Sequence, residues 1–161
     1  MSAIVAALKR TAPFFKPRTA EEQRLVLVAL THRSLSPVEN NVGLSKVGEA
    51  ASKLVATEAL YRQAGHHLAH DYSRLVNESL TTKKLADVAR GLNLDELVRV
   101  AKGTEYVSDD MSAQALLALF GFVHQARGPV ELWKILQELQ VVDLTHDGGF
   151  VDAVSLLSAT S

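Results

Sequence analysis

The stretch from Gly43 to Tyr61, GLSKVGEAASKLVATEALY, constrains this chain more than any other. It contains no proline, and it sets Leu44, Val47, Ala51, Leu54 and Tyr61 at helical spacing. A helix carrying such an apolar stripe has to bury it, so the spacing predicts one long helix with these five residues turned inward. Ser45, Glu49 and Ser52 fall beside one another on a different face, because residues three and four apart are neighbours on a helix. Gly48 is costly as helix filler, by about 1 kcal/mol against alanine. It points to close approach by another backbone; the plain alternative is a glycine tolerated in mid-helix.

Around this stretch the chain reads as helix after helix, and strand alternation is weak throughout, so the expected class is all-α. Thr19 with Glu22 fits a capping box that opens a helix through Leu30. Pro37, Asn40 and Asn41 mark a loop before the central helix. Helices are then expected over Ala69–Leu80 and from Thr81 or Thr82 to Gly91, with one further turn capped by Asn93. A loop containing Gly103 leads to Asp109 or Asp110, either of which suits the start of an apolar helix reaching Ala126. Gly128-Pro129 interrupts it, and an amphipathic helix through Leu132, Trp133, Leu136 and Leu139 follows. Residues 141–161 read as a tail, with room for a short helix after Gly148-Gly149.

At 161 residues with 47% apolar and 22% charged side chains, the central part, residues 20–140, is expected to be one globular domain. The net charge of -1 excludes a global basic field, so any nucleic-acid contact has to be local. There is no cysteine, hence no disulfide and no thiolate metal site. No apolar run is long enough to suggest a membrane span. Residues 1–19 carry Lys9, Arg10, Lys16 and Arg18 and no acid, which fits either a mitochondrial transit segment or an N-terminal arm of the fold broken by Pro13 and Pro17.

Smaller constellations are weaker. His66, His67 and His70, with Asp71 nearby, give H-H-x-x-H, but a polar helix entry explains them better than a metal, and no metal or other cofactor is expected. Arg74, Lys83, Lys84 and Arg90 are candidates for an RNA-binding patch, against the ordinary reading of a solvated helix face. Trp133 reads as core. Thr31 or Ser34 would cap the T-H-R-S turn that contains His32 and Arg33.

Several blocks, in order, resemble the ribonuclease III endonuclease-domain family. Ala29-Leu30-Thr31-His32-Arg33-Ser34 is similar to its A-L-T-H-R-S, and Leu44-Ser45-Lys46-Val47-Gly48-Glu49-Ala50 to its L-E-F-L-G-D-A signature. Lys102-Gly103-Thr104-Glu105 resembles its K-G-E-E loop, and the segment Ser112 to Gly121 resembles A-D-A-x-E-A-L-I-G. The resemblance implies the family's helical fold. It also implies a site where four carboxylates hold magnesium for cleavage of double-stranded RNA. By position those acids fall at Val42, Ser45, Glu49 and Gln114, with a further site acid at Leu117. Only Glu49 is a carboxylate, so the expectation is a catalytically degenerate member that is not an enzyme.

The family pairs through its signature helix, with an aromatic plug at the position of Lys46. Two such charges near one axis disfavour a homodimer. The resemblance therefore implies a heterodimer with a second ribonuclease III-like protein, through Leu44, Lys46, Val47, Ala51 and Leu54. The nearest counterparts in kind are ribonuclease III-like proteins of the mitochondrial ribosomal large subunit. This implies a structural protein of the mitochondrial matrix that contacts rRNA and neighbouring ribosomal proteins, with no membrane partner. Two alternatives stay open: a non-catalytic partner in an organellar RNA-processing or editing complex, and a divergent magnesium-dependent endonuclease that borrows Asp109 or Asp110.

Overall fold

The computed structural model describes residues 3–64 and 69–142. His66, His67, the side chains of His70 and Asp71, and the expected short helix after Gly149 lie outside the described residues. Seven α-helices make up the described part: α1 Ala3–Thr11, α2 Ala20–Ala29, α3 Val42–Ala64, α4 Ala69–Ser79, α5 Thr82–Gly91, α6 Asp109–Arg127 and α7 Pro129–Glu138. A single 3-10 turn, Pro13–Phe15, follows α1, and an isolated parallel bridge joins Thr31 to Arg99. No described helix is long and apolar enough to cross a membrane.

The core is wrapped around α6, whose residues Ala115, Leu116, Ala118, Leu119, Phe120, Phe122 and Val123 are fully enclosed. Its main partner is α3. The two helices cross antiparallel with their backbones in contact: a Cβ on Gly48 would stand 1.7 Å from the Leu117 carbonyl oxygen, and one on Gly121 would stand 2.1 Å from that of Leu44. Glycine is required at both positions because any side chain would drive one backbone into the other.

This close approach turns α3 away from the orientation its apolar stripe predicts. The buried line is Ser45, Gly48, Ser52, Val55, Ala56 and Ala59. Ala51 is also buried, but Leu44 and Val47 are only half covered, while Leu54 and Tyr61 stand 55% and 65% exposed. Around the crossing small residues mark the inner face, since only they let two helix axes come this close; Leu60, farther along, is buried too. Ser52 Oγ and Ser112 Oγ are sealed inside with no hydrogen-bond partner among the described residues, as are both polar atoms of the Asn41 side chain.

Residues 3–19 belong to the packed unit. Val5, Leu8, Ala12 and Phe15 are buried, and Phe15 packs against Phe120 at 6.1 Å between ring centroids. Arg127, at the end of α6, ties this segment down. Its guanidinium donates to the Phe14 and Lys16 carbonyls at 3.0 and 2.6 Å, pairs with Glu22 at 3.1 Å and lies over the Phe122 ring. The Glu22–Arg127 pair is nearly enclosed.

Thr19 caps α2 through the Glu22 N–H, but the Glu22 carboxylate accepts from the Arg18 N–H, one residue outside a standard capping box. Ser108, not Asp109 or Asp110, caps α6. Asn93 starts no helix. With φ 54° it closes α5 in a Schellman motif, in which the Leu94 N–H reaches the Ala89 carbonyl and the Asn93 N–H that of Arg90. Gln140 repeats this after α7, turning Val141 and Val142 back into the core.

Candidate functional site

The T-H-R-S turn is a latch between two chain segments. The His32 N–H donates to the Arg99 carbonyl, and the Arg99 N–H to that of Leu30. Thr31 does not cap a helix start. Its hydroxyl donates to the Leu27 carbonyl and accepts from the Arg99 guanidinium. Ser34 Oγ meets His32 Nδ1 and accepts the Ala101 N–H. Partial burial, helped by the Arg33 charge, lowers the pKa of His32. The latch fixes the loop that delivers Asn41 and Val42 to the start of α3.

The α3–α6 crossing sets one of the expected site positions, Leu117, against Gly48. Val42 opens α3, its N–H held by Asn40 Oδ1 at 3.0 Å. Ser45 is buried and donates to the Val42 carbonyl at 2.7 Å. Leu117 presses its carbonyl on Gly48, the neighbour of Glu49. Gln114, one turn before Leu117, is carried by the antiparallel run to the Glu49–Ser52 level of α3. Among the five positions the only carboxylate, Glu49, is bound to Lys53 at 3.0 Å. The Lys53 hydrogen bond, with the Lys53 and Lys46 charges, holds its carboxyl below the usual range against the opposing effect of burial.

This arrangement does not fit magnesium. The ion needs several hard oxygen ligands in near-octahedral order. One carboxylate already bound to an ammonium, a serine hydroxyl turned to its own helix, an amide and two hydrocarbon side chains do not supply them. No group of three or more His, Cys, Asp or Glu stands together elsewhere among the described residues.

Two flanks of α3 remain open. At about 100° per residue along a helix, Lys46 and Lys53 lie within about 20° of each other on the Glu49 side. Val47 and Leu54 lie on the other side with Leu44. Beside that second flank is an open groove of about 680 Å³, lined by Glu21, Leu25, Gly43, Leu44 and Val47. Of the residues expected at a partner interface, Leu54 is thus exposed and Leu44 and Val47 border a groove. Ala51 is in the core and unavailable, and Lys46 points to the Glu49 flank.

The expected RNA-binding cations lie on two helices. Arg74 lies on α4, while Lys83 and Lys84 are in the first turn of α5. Arg90 is paired with Asp109 across α5 and α6, which also engages one of the acids considered for a borrowed metal site.

A family model described as ribonuclease-III-like matches residues 22–143. The chain belongs to that family. Ribonuclease 3 of Pseudomonas fluorescens strain SBW25 is 30% identical over 91% of this chain and 67% of its own length. Ribonuclease 3 of Pseudomonas putida strain W619 is 31% identical with the same coverage. The chain thus spans about two thirds of these relatives. The nuclease domain of Campylobacter jejuni ribonuclease III superposes with a TM-score of 0.74 over 94% of this chain and 100% of that one, at 24% identity. A second structure of that domain, described for flexibility in a region involved in dimer formation, gives 0.75 over 84% of this chain and 94% of that one.

These comparisons confirm the helical ribonuclease III fold. They also correct one expectation. The reading of the chain as not an enzyme does not stand, because its relatives are named Ribonuclease 3, the name of an enzyme.

The Glu22–Arg127 pair, which fastens the N-terminal segment to the body of the domain, was missed from sequence. Its partners are about a hundred residues apart, at 105 positions. An acid in the first turn of a capped helix looks like ordinary capping, so nothing local flagged it.

Proposed function

We propose that this ribonuclease III-family chain engages double-stranded RNA as one half of a two-chain unit, pairing through α3 with a second ribonuclease III-like protein. The observation that carries the reading is the outer flank of α3. Leu54 and Tyr61 are large apolar side chains left in solvent on the longest described helix, on the flank whose N-terminal end, at Leu44 and Val47, borders a groove that Leu25 also walls. Such a face on an otherwise well-packed domain is suited to a protein partner. The Campylobacter jejuni nuclease domain, whose fold this chain shares, has a region involved in dimer formation.

The setting we propose is the large subunit of the mitochondrial ribosome, in the matrix, with rRNA and neighbouring ribosomal proteins as further contacts. The acid-free segment over residues 1–19 supports this address. Since Leu8, Ala12 and Phe15 are built into the core, such an address would act while remaining on the folded chain. The test is native isolation with identification of what co-sediments. Large-subunit rRNA together with a ribonuclease III-like protein supports the reading.

A second reading is magnesium-dependent cleavage of duplex RNA. The relatives named Ribonuclease 3 favour it. It requires oxygen ligands beyond Glu49. Asp110 stands on the same row of α6 as Gln114, whereas Asp109 is engaged by Arg90. Cleavage of a duplex substrate that is lost in Asp110→Asn and in Glu49→Gln decides in its favour.

A further inference from the structure

The Glu49 flank of α3 is where the family resemblance puts a cluster of metal-binding acids, and its charge here is reversed. Lys46 precedes Glu49 by three residues and Lys53 follows it by four, so both ammoniums share a helix face with the one carboxylate. Lys53 is bonded to it, and both side chains of that pair remain about 40% exposed. These three α3 side chains sum to one positive charge. The other family positions, Val42, Gln114 and Leu117, carry no charge.

A divalent cation placed here would meet one shared carboxylate and two like charges. A phosphate oxygen would meet two ammoniums. Lysine is a point-charge phosphate binder with three donors, and one of those on Lys53 is engaged by Glu49.

We propose that this flank is a metal-free phosphate site, where Lys53, supported by Lys46, takes a backbone phosphate of duplex RNA directly and Glu49 competes with that phosphate for the Lys53 ammonium. The proposal rests on the reading that the chain engages duplex RNA. It goes beyond that reading in naming the groups and in removing magnesium from the contact. The roles of the residues are unlike those of a metal site. Glu49, which would be indispensable as a ligand, here weakens binding by occupying Lys53. The side chain that makes the contact is a cation.

Fluorescence anisotropy of a labelled blunt RNA duplex with the full chain tests this, in EDTA and in magnesium chloride at matched ionic strength. Wild type binds equally in both. Lys53→Gln weakens binding by about tenfold, the worth of one hydrogen bond to a charged group. It also lowers the salt slope by about 1, as expected for one lost phosphate contact. Lys53→Arg retains binding, and Glu49→Gln binds more tightly than wild type. The changes are at exposed positions, and thermal melts confirm that each variant is folded.

Binding that requires magnesium and is weakened by Glu49→Gln overturns the proposal in favour of a metal site. Binding indifferent to Lys53→Gln overturns it in favour of another RNA face, leaving the broader reading intact. A wild-type chain that binds no duplex RNA under any condition refutes both.

Discussion

Replacing Gly48 by alanine should be among the most damaging single-methyl changes in this domain. The new Cβ would stand 1.7 Å from the Leu117 carbonyl oxygen and 2.8 Å from the Gly121 nitrogen, both backbone atoms that cannot rotate away. Restoring an ordinary contact means moving α3 and α6 apart by roughly 2 Å. A gap of half that size already forfeits a quarter to a half of each van der Waals contact across it. Overpacking of this kind costs about 1–3 kcal/mol where side chains can adjust. Here none can, so the gross cost is placed at about 4 kcal/mol, offset by about 1 kcal/mol of improved helix propensity. The net loss of about 3 kcal/mol should lower the melting temperature by about 6–12 °C for a domain of this size. Gly43→Ala is the control on the same helix, because nothing lies within 4 Å of its Cβ. It should be neutral or stabilising by up to about 1 kcal/mol. Thermal and urea unfolding of both variants measures the difference. Equal stability of Gly48→Ala and wild type would refute the α3–α6 register on which the site geometry depends.

Phe15→Ala should cost about 3–5 kcal/mol by urea unfolding, since Phe15 is wholly buried against Phe120; a near-neutral change would detach residues 3–19 from the core. Arg127→Met should cost about 3–5 kcal/mol by leaving Glu22 enclosed without its partner, and Glu22→Gln in the same background should recover part of it. Desolvation raises the pKa of Glu22, but the Arg127 hydrogen bond, the Arg18 N–H and the two guanidinium charges outweigh it and leave the value lowered. The stability this group contributes is therefore fully present above its unfolded value of about 4.3 and is lost as the pH falls through the lower folded value. Unfolding free energies from pH 7 to pH 3 should drop less steeply in Glu22→Gln than in wild type. Gln140→Gly should raise stability by roughly 1 kcal/mol, because φ 54° is a left-handed conformation that glycine adopts without strain.

Helix content and order were legible because caps, glycines and prolines act locally. Thr19, Thr81, Gly128 and Pro129 each do the work their residue types suggest. The orientation of α3 was not legible, because large apolar residues normally mark the inner face, and here the inner face was taken by Ser45, Gly48 and Ser52. Gly48 itself held the clue. Once it is read as a backbone contact, its own row becomes the buried one, and Leu54 and Tyr61 have to turn outward. Asn93 misled for a related reason: asparagine serves helix starts through its side chain and helix ends through its backbone, and only φ tells them apart. The site positions came from the order of the family blocks, and the crossing sets Leu117 against Gly48, the neighbour of Glu49. The Lys53–Glu49 bond joins residues four apart, a pairing available in the sequence.

Sedimentation of the native protein from its source, comparing wild type with Leu54→Glu/Tyr61→Glu, tests pairing through the outer flank of α3. Both side chains are exposed in the single chain, so the double variant keeps its fold and its melting temperature. Wild type should sediment with a second ribonuclease III-like chain and with RNA, and the variant, equally folded, should lose the protein partner. A wild-type chain that sediments as a monomer, or a variant that keeps the same ribonuclease III-like partner at wild-type strength, would contradict it.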